Sequence, residues 1–295
     1  RISDNHLNLS LTASYIEDTG KSEPYNLLHI ITTLSWGLGY FGMPHILLRF
    51  MAIEDEKKLK LSRRVASVWV VIAMAMAVLI GIVGRALSNT GLVDQLHGND
   101  TETIIVRVAH LLSTYGAFPA IMAGLILAGI LASTMSTADS QLLAAASSVS
   151  ENILREAFHL KISEKKSMLA ARLTVIGIAI LGIIIARNPD SSVFGIVSFA
   201  WAGFGAAFGP LVICSLFWKR TTLPGAIVGM VSGGAMVFIW KYLIKPIGGV
   251  FGIYELLPAF LVGLVLMVIV SLCTKAPSKE ITDEFDRVKA MGKAK

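Results

Sequence analysis

The sequence predicts an all-α polytopic membrane protein, and three observations carry that prediction. Charged residues make up only 16% of the 295, against about 25% in an ordinary soluble domain. Hydrophobic residues reach 54%, and the mean hydropathy is +0.68. The apolar residues also gather in runs near the roughly 20 that a helix needs to cross a bilayer. In lipid the backbone must satisfy its own hydrogen bonds, so runs of this length are helices. A soluble enzyme is excluded on these grounds. A disulfide scaffold is excluded as well, because Cys214 and Cys273 both sit inside apolar stretches.

In chain order the predicted helices are 26–50, 65–87, 117–147, 168–186, 192–218, 223–243 and 254–273. They hold six charges: Arg49, Arg85, Asp139, Arg172, Lys241 and Glu255. Most lie near segment ends, where long side chains reach the headgroups; Asp139 lies deepest. Residues 1–25 read as an external loop and 274–295 as a cytoplasmic tail. The stretch Thr103–Leu112 mixes apolar and polar residues like a short helix over the external face, either a lid or a plain surface loop.

Orientation follows from the Lys and Arg in the connections. Those at 51–64, 148–167, 219–222 and 274–295 carry 17, and the opposite set carries 5. The positive-inside rule places the C-terminus in the cytoplasm. The net charge of +6 is therefore a topology signal, with no nucleic-acid partner implied. The chain begins at Arg1 in a polar stretch without a signal-peptide pattern, and it reads as the C-terminal part of a longer polytopic protein.

No catalytic grouping, metal-ligand cluster or phosphate loop is visible in the sequence. What stands out is helix disruption and polarity inside apolar segments. Trp36-Gly-Leu-Gly-Tyr-Phe-Gly-Met-Pro44 lies in the middle of 26–50. Pro44 removes the partner of the Tyr40 carbonyl, and Gly37, Gly39 and Gly42 lower the cost of leaving helical geometry. Trp36, Tyr40 and Pro44 are spaced i, i+4, i+8, which places them on one helical face. The alternative is a Pro kink with its aromatics packed on neighbours. Deep in 117–147, Ser133, Ser136 and Thr137 stand at i, i+3, i+4 on one face. Such a face offers hydroxyls and a carbonyl to a hard monovalent cation, or else bonds back to the preceding turn. Asp139 is about 200° around the helix from Thr137, which suits a gate or an interhelix partner. A third stretch, Ala200–Pro210, pairs Gly205 with Gly209, and Pro210 frees the Ala206 carbonyl. Whether it packs or lines a pathway stays open. Gly225, Gly229 and Gly233 repeat the small-residue spacing and read as packing.

At these residues the sequence resembles the sodium:solute symporter family, and within it the bacterial sodium/proline symporters. The matching stretches are WGLGYFGMPHILLRFMA at 36–52, MSTADSQLL at 135–143, SFAWAGFGAAFGPLV at 198–212 and KAP at 275–277. The resemblance implies a LeuT-like fold of two inverted five-helix repeats, with 26–50 opening the second repeat and the last two helices as additions. The first repeat would then lie upstream and be missing here. It also implies that Trp36, Tyr40 and Pro44 meet substrate. Ser136 and Thr137 would ligate sodium through their hydroxyls, and Ser133 through its carbonyl. One departure is Ser133 itself, where a proline transporter of the family has Ala; a backbone ligand survives that change.

The implied activity is sodium-coupled symport of L-proline by alternating access across a bacterial cytoplasmic membrane. Na⁺ is the coupling ion and no other cofactor is needed. A symporter for another small organic solute and a membrane sensor module are the alternatives. Against the sensor, only residues 274–295 follow the last helix, and their Lys279–Asp286 pattern fits a surface helix.

Overall fold

The computed structural model describes residues 13–16, 21–24, 27–55, 57–159, 163–187 and 192–293. Its architecture is helical, with a short antiparallel hairpin near the start. In the hairpin β1 (Ala13–Ile16) pairs with β2 (Lys21–Pro24), Ala13 opposite Pro24 and Ile16 opposite Lys21. The rest of the expected loop 1–25 lies outside the described residues.

Segment 26–50 is not one helix. It divides into α1 (Leu27–Ser35), a 3₁₀ stretch (Trp36–Gly42) and α2 (Pro44–Met51). The break falls at Met43, whose ψ of 111° is extended, because a following proline drives its predecessor out of the helical region. Pro44 therefore opens a new helix, where a missing N–H costs nothing, and does not kink the interior of an old one. The Met43 carbonyl then accepts from the Ile46 and Leu47 N–H groups at 3.0 and 3.1 Å, starting the first turn of α2.

The remaining helices are α3 (Lys58–Asn89), α4 (Ile104–Ser113), α5 (Ala117–Ser147), α6 (Glu164–Ala186), α7 (Val193–Phe217), α8 (Leu223–Ile239), α9 (Leu256–Cys273) and α10 (Lys279–Lys293). Local chemistry fixes several starts. Gly116 precedes α5 at φ 116°, a conformation that disfavours any side chain. Thr222 caps α8 by accepting from the Gly225 N–H at 3.3 Å, with Pro224 in the first turn. α5 runs on into a wider π-helical stretch, Ser148–Ala157, and α8 does the same over Trp240–Ile244, which periodicity arguments do not reveal. Among the described residues, six helices are long and apolar enough to cross a membrane: Lys58–Asn89, Ala117–Ala157, Glu164–Ala186, Val193–Phe217, Leu223–Ile247 and Leu256–Cys273.

The chain divides into two compact units, one of Arg1–Ile2 with Ala52–Val193 and one of Ser3–Met51 with Phe194–Lys295. In the first, α4 packs on α3 and α5, and α5 packs on α6. Gly84 makes room there for the Ile104 side chain. Glu102 accepts from the Ser192 hydroxyl at 2.6 Å and the Val193 N–H at 3.0 Å, so a carboxylate meets the free donors at the start of α7.

The second unit holds a buried core of Ala202, Ala206, Val237, Tyr254, Leu256, Ala259 and Phe260. Its most extensive helix contact is between α8 and α9. Gly225 lies against Ser271 and Gly229 against Met267, while Gly233 meets the Ala206 carbonyl of α7. These glycines are packing residues, and Gly233 explains what becomes of the carbonyl that Pro210 leaves without a partner. It faces a gap that only a missing Cβ provides.

Candidate functional site

The broken helix brings an aromatic cluster together. Trp36 stacks on Phe194, Trp201 and Tyr254 at centroid distances of 5.5, 5.6 and 5.7 Å. Tyr40 meets Trp201 edge-on at 4.8 Å. The Trp201 indole N–H donates to the Trp36 carbonyl at 3.0 Å, so the 3₁₀ stretch is fastened to α7 by a side-chain hydrogen bond. The Tyr254 hydroxyl donates to the Ser198 carbonyl at 2.5 Å, which holds a third ring in place. Close approach is allowed by glycine on both sides. Gly39 lies under Trp201, Gly42 lies against the Phe204 carbonyl, and a Cβ on Gly205 would stand 2.7 Å from the Gly39 Cα.

The shared face expected for Trp36, Tyr40 and Pro44 does not survive this geometry. A 3₁₀ helix turns every three residues, so positions i and i+4 stand about 120° apart. Trp36 is half-buried in the cluster, whereas Tyr40 is 53% exposed and Pro44 half-buried at the head of α2. What Trp36 and Tyr40 share is the Trp201 ring. Trp201, Phe194 and Tyr254 were not singled out from the sequence. Trp201 was within reach, because it heads the glycine-rich stretch that the sequence left open between packing and pathway lining. In the structure that stretch packs: Gly205 and Gly209 allow close approach, and Trp201 stacks in the aromatic cluster.

Ser133, Ser136 and Thr137 lie on α5, in the other unit, and all three are exposed. The Thr137 hydroxyl donates back to the Ser133 carbonyl at 3.3 Å. That contact is the ordinary turn-to-turn bond of a helical threonine. It also sets two oxygens at the spacing one small cation can bridge. At about 2.4 Å from each, the range for Ca²⁺, an ion of similar radius to Na⁺, the angle at the metal is about 90°. The neighbouring Thr134 and Ser140 hydroxyls bond to the Ile130 and Thr137 carbonyls at 3.0 and 2.8 Å. Asp139 is exposed on the same helix. Among the described residues no cluster of His, Cys, Asp and Glu could hold a metal ion.

Six helices among the described residues are long and apolar enough to cross a membrane, and the interrupted helix carries the aromatic cluster, an arrangement that suits a multi-pass membrane protein. The family model for the sodium:solute symporter family matches residues 10–233. The chain belongs to that family, which is one of transporters and not of enzymes. It is 40% identical over 261 residues to the high-affinity proline transporter PutP of Bacillus subtilis, covering 88% of this chain and 53% of that protein. It is 38% identical over 275 residues to the sodium/proline symporter of Escherichia coli, covering 92% and 52%. The osmoregulated proline transporter OpuE of Bacillus subtilis is 39% identical over 254 residues, covering 86% and 50%. The chain thus spans about half the length of the curated relatives it matches. No solved structure matches it.

Proposed function

We propose that the chain contributes the substrate-facing broken helix and the sodium-ligating helix of a symporter that takes up L-proline with Na⁺. The observation that carries this reading is the aromatic cluster on an interrupted helix, in a chain about 40% identical to proline transporters. A flat aromatic wall suits the apolar pyrrolidine ring, and backbone groups freed at the break suit an ammonium or carboxylate. Trp36, Tyr40 and Pro44 are the substrate residues in this reading. The Ser133 carbonyl and the Ser136 and Thr137 hydroxyls ligate sodium. The fold would be LeuT-like, with α1 to α7 as the second repeat, α8 and α9 as additions, and the first repeat supplied by the half of the relatives that this chain does not span. The remaining sodium ligands would come from that half.

The location in this reading is a bacterial cytoplasmic membrane, with the tail after α9 in the cytoplasm, which the 17-to-5 distribution of Lys and Arg supports. One Na⁺ moving inward down 100 mV releases about 2.3 kcal/mol. At about 1.36 kcal/mol per decade, that concentrates a neutral zwitterion about 50-fold before any chemical gradient is added. Coupling is thermodynamic and reciprocal: sodium raises affinity for proline by the factor by which proline raises affinity for sodium.

The test is uptake of labelled proline by proteoliposomes holding the complete gene product, with an inward Na⁺ gradient set against K⁺ alone. Sodium-dependent accumulation abolished by excess unlabelled proline is the expected result. Uptake that is sodium-dependent for another solute but not for proline would reject the substrate and keep the class.

A further inference from the structure

The tail helix α10 (Lys279–Lys293) is amphipathic, and no role in transport accounts for it. Ile281, Phe285 and Val288 recur along one stripe at helical spacing, with Met291 beside them. Ile281, Val288 and Met291 are 60%, 56% and 50% exposed. An apolar stripe left open to water on a charged helix has to be covered by something.

The contacts of α10 fix its depth. Asp286 forms an ion pair with Lys219 in the turn between α7 and α8. Ile281 and Phe285 line a cavity of about 200 Å³ with Trp218, Lys219, Leu223 and Ala226 of that same turn and the start of α8. The turn is a membrane boundary: the apolar run of α7 ends at Phe217, that of α8 begins at Leu223, and Trp218, Lys219 and Arg220 stand between them. Aromatic and basic residues in such a place sit at headgroup level. The end of α9 lies at the same depth, because the Arg220 guanidinium donates to the Thr274 carbonyl at 2.7 Å. The Thr222 and Thr274 hydroxyls meet there at 2.8 Å. A helix fastened to that turn lies at the lipid–water boundary and not free in solution.

We infer that α10 is a membrane-surface helix, lying in the bilayer interface with Val288 and Met291 inserted among the lipids, Ile281 and Phe285 against the α7–α8 turn, and Asp286 held by Lys219. Charge supports lipid as the occupant. The acidic residues fall in the first half of the helix, up to Asp286, and the sequence after it carries Arg287, Lys289, Lys293 and Lys295 without an acid. A basic end following an apolar stripe is the pattern that anionic headgroups attract. The inference does not depend on which solute is carried.

The test uses the complete gene product in vesicles of zwitterionic and anionic phospholipid, with Cys214, Cys273 and every cysteine of the remaining half replaced by Ser. Single cysteines at Val288 or Asp283 carry an environment-sensitive fluorophore; Asp283 is about 140° around the helix from Val288. Emission from 288 should shift to the blue and be quenched by nitroxide-labelled lipids, with neither effect at 283. Equal, water-like emission at both sites would overturn the proposal. So would a blue shift at 288 without quenching by lipid, since a second copy or another protein segment would then be the cover. A proteoliposome assay in which proline uptake fails while 288 is quenched would reject the substrate reading and leave this one standing.

Discussion

The two units bury their apolar spans to different extents. In the unit with α7, α8 and α9, 28%, 22% and 39% of the most apolar window of each span is buried inside the chain; in the unit with α3, α5 and α6 the figures are 0%, 6% and 0%. The glycines repeat the contrast. A Cβ at Gly39, Gly42, Gly205, Gly225 or Gly233 would collide with backbone or a ring, while Gly81, Gly124, Gly129, Gly177 and Gly182 have nothing within 4 Å. Glycine in a helix costs about 1 kcal/mol relative to alanine. At the first five the close helix contacts offset that cost; at the second five this chain supplies no offset, and Gly84 against Ile104 is the exception in that unit. The α7–α9 unit makes its own core. The α5 unit presents long apolar and hydroxyl-bearing faces that lipid or further protein has to cover.

The sharpest way to break the contrast is to fill a glycine in each unit. Gly233→Val drives a branched side chain into the Ala206 carbonyl and should destabilise by about 1–3 kcal/mol or more. Gly129→Ala meets no neighbour and should stabilise by about 0.5–1 kcal/mol through helix propensity alone. Thermal unfolding of the purified complete protein reads both, and equal shifts would erase the distinction. A smaller effect is expected at the clasp of the broken helix. Trp201→Phe keeps a ring beside Trp36 but loses the indole donor, at about 1 kcal/mol. It should loosen the 3₁₀ stretch, seen as faster amide exchange across Trp36–Gly42, and unchanged exchange would deny the clasp. Smallest is Ser271→Ala, which removes long contacts of 3.3 and 3.4 Å from Thr222. It should cost at most about 1 kcal/mol, visible as a lowered melting temperature with transport intact.

Sequence reading reached some of this and missed the rest for physical reasons. The break before Pro44 was legible because proline and glycine act locally through one or two dihedrals. The shared face of Trp36 and Tyr40 was wrong because it assumed 3.6 residues per turn where the chain tightens to three. Trp201, Phe194 and Tyr254 were out of reach since they come from distant sequence and are joined to Trp36 only by packing. The π stretch after α5 leaves no mark in hydropathy, whereas the short helix at Ile104–Ser113 and the tail helix α10 do, through their amphipathic spacing. For Ser133 and Thr137 the sequence weighed a cation face against a bond back along the helix. The 3.3 Å contact shows the second, in a geometry compatible with the first.

The proposed function rests on a division of labour between the units: substrate at the aromatic cluster, sodium at α5. It is tested most directly by measuring the half-saturation constant for proline at low and at saturating sodium in Trp36→Ala and Ser136→Ala. Trp36→Ala should raise it about tenfold or more, a loss of about 1.4 kcal/mol, at every sodium concentration. Ser136→Ala should raise it only at low sodium and return to the unsubstituted value at saturation, because its defect acts through the reciprocal coupling. A Trp36→Ala defect that sodium repairs, or a Ser136→Ala defect that it does not, would contradict the account.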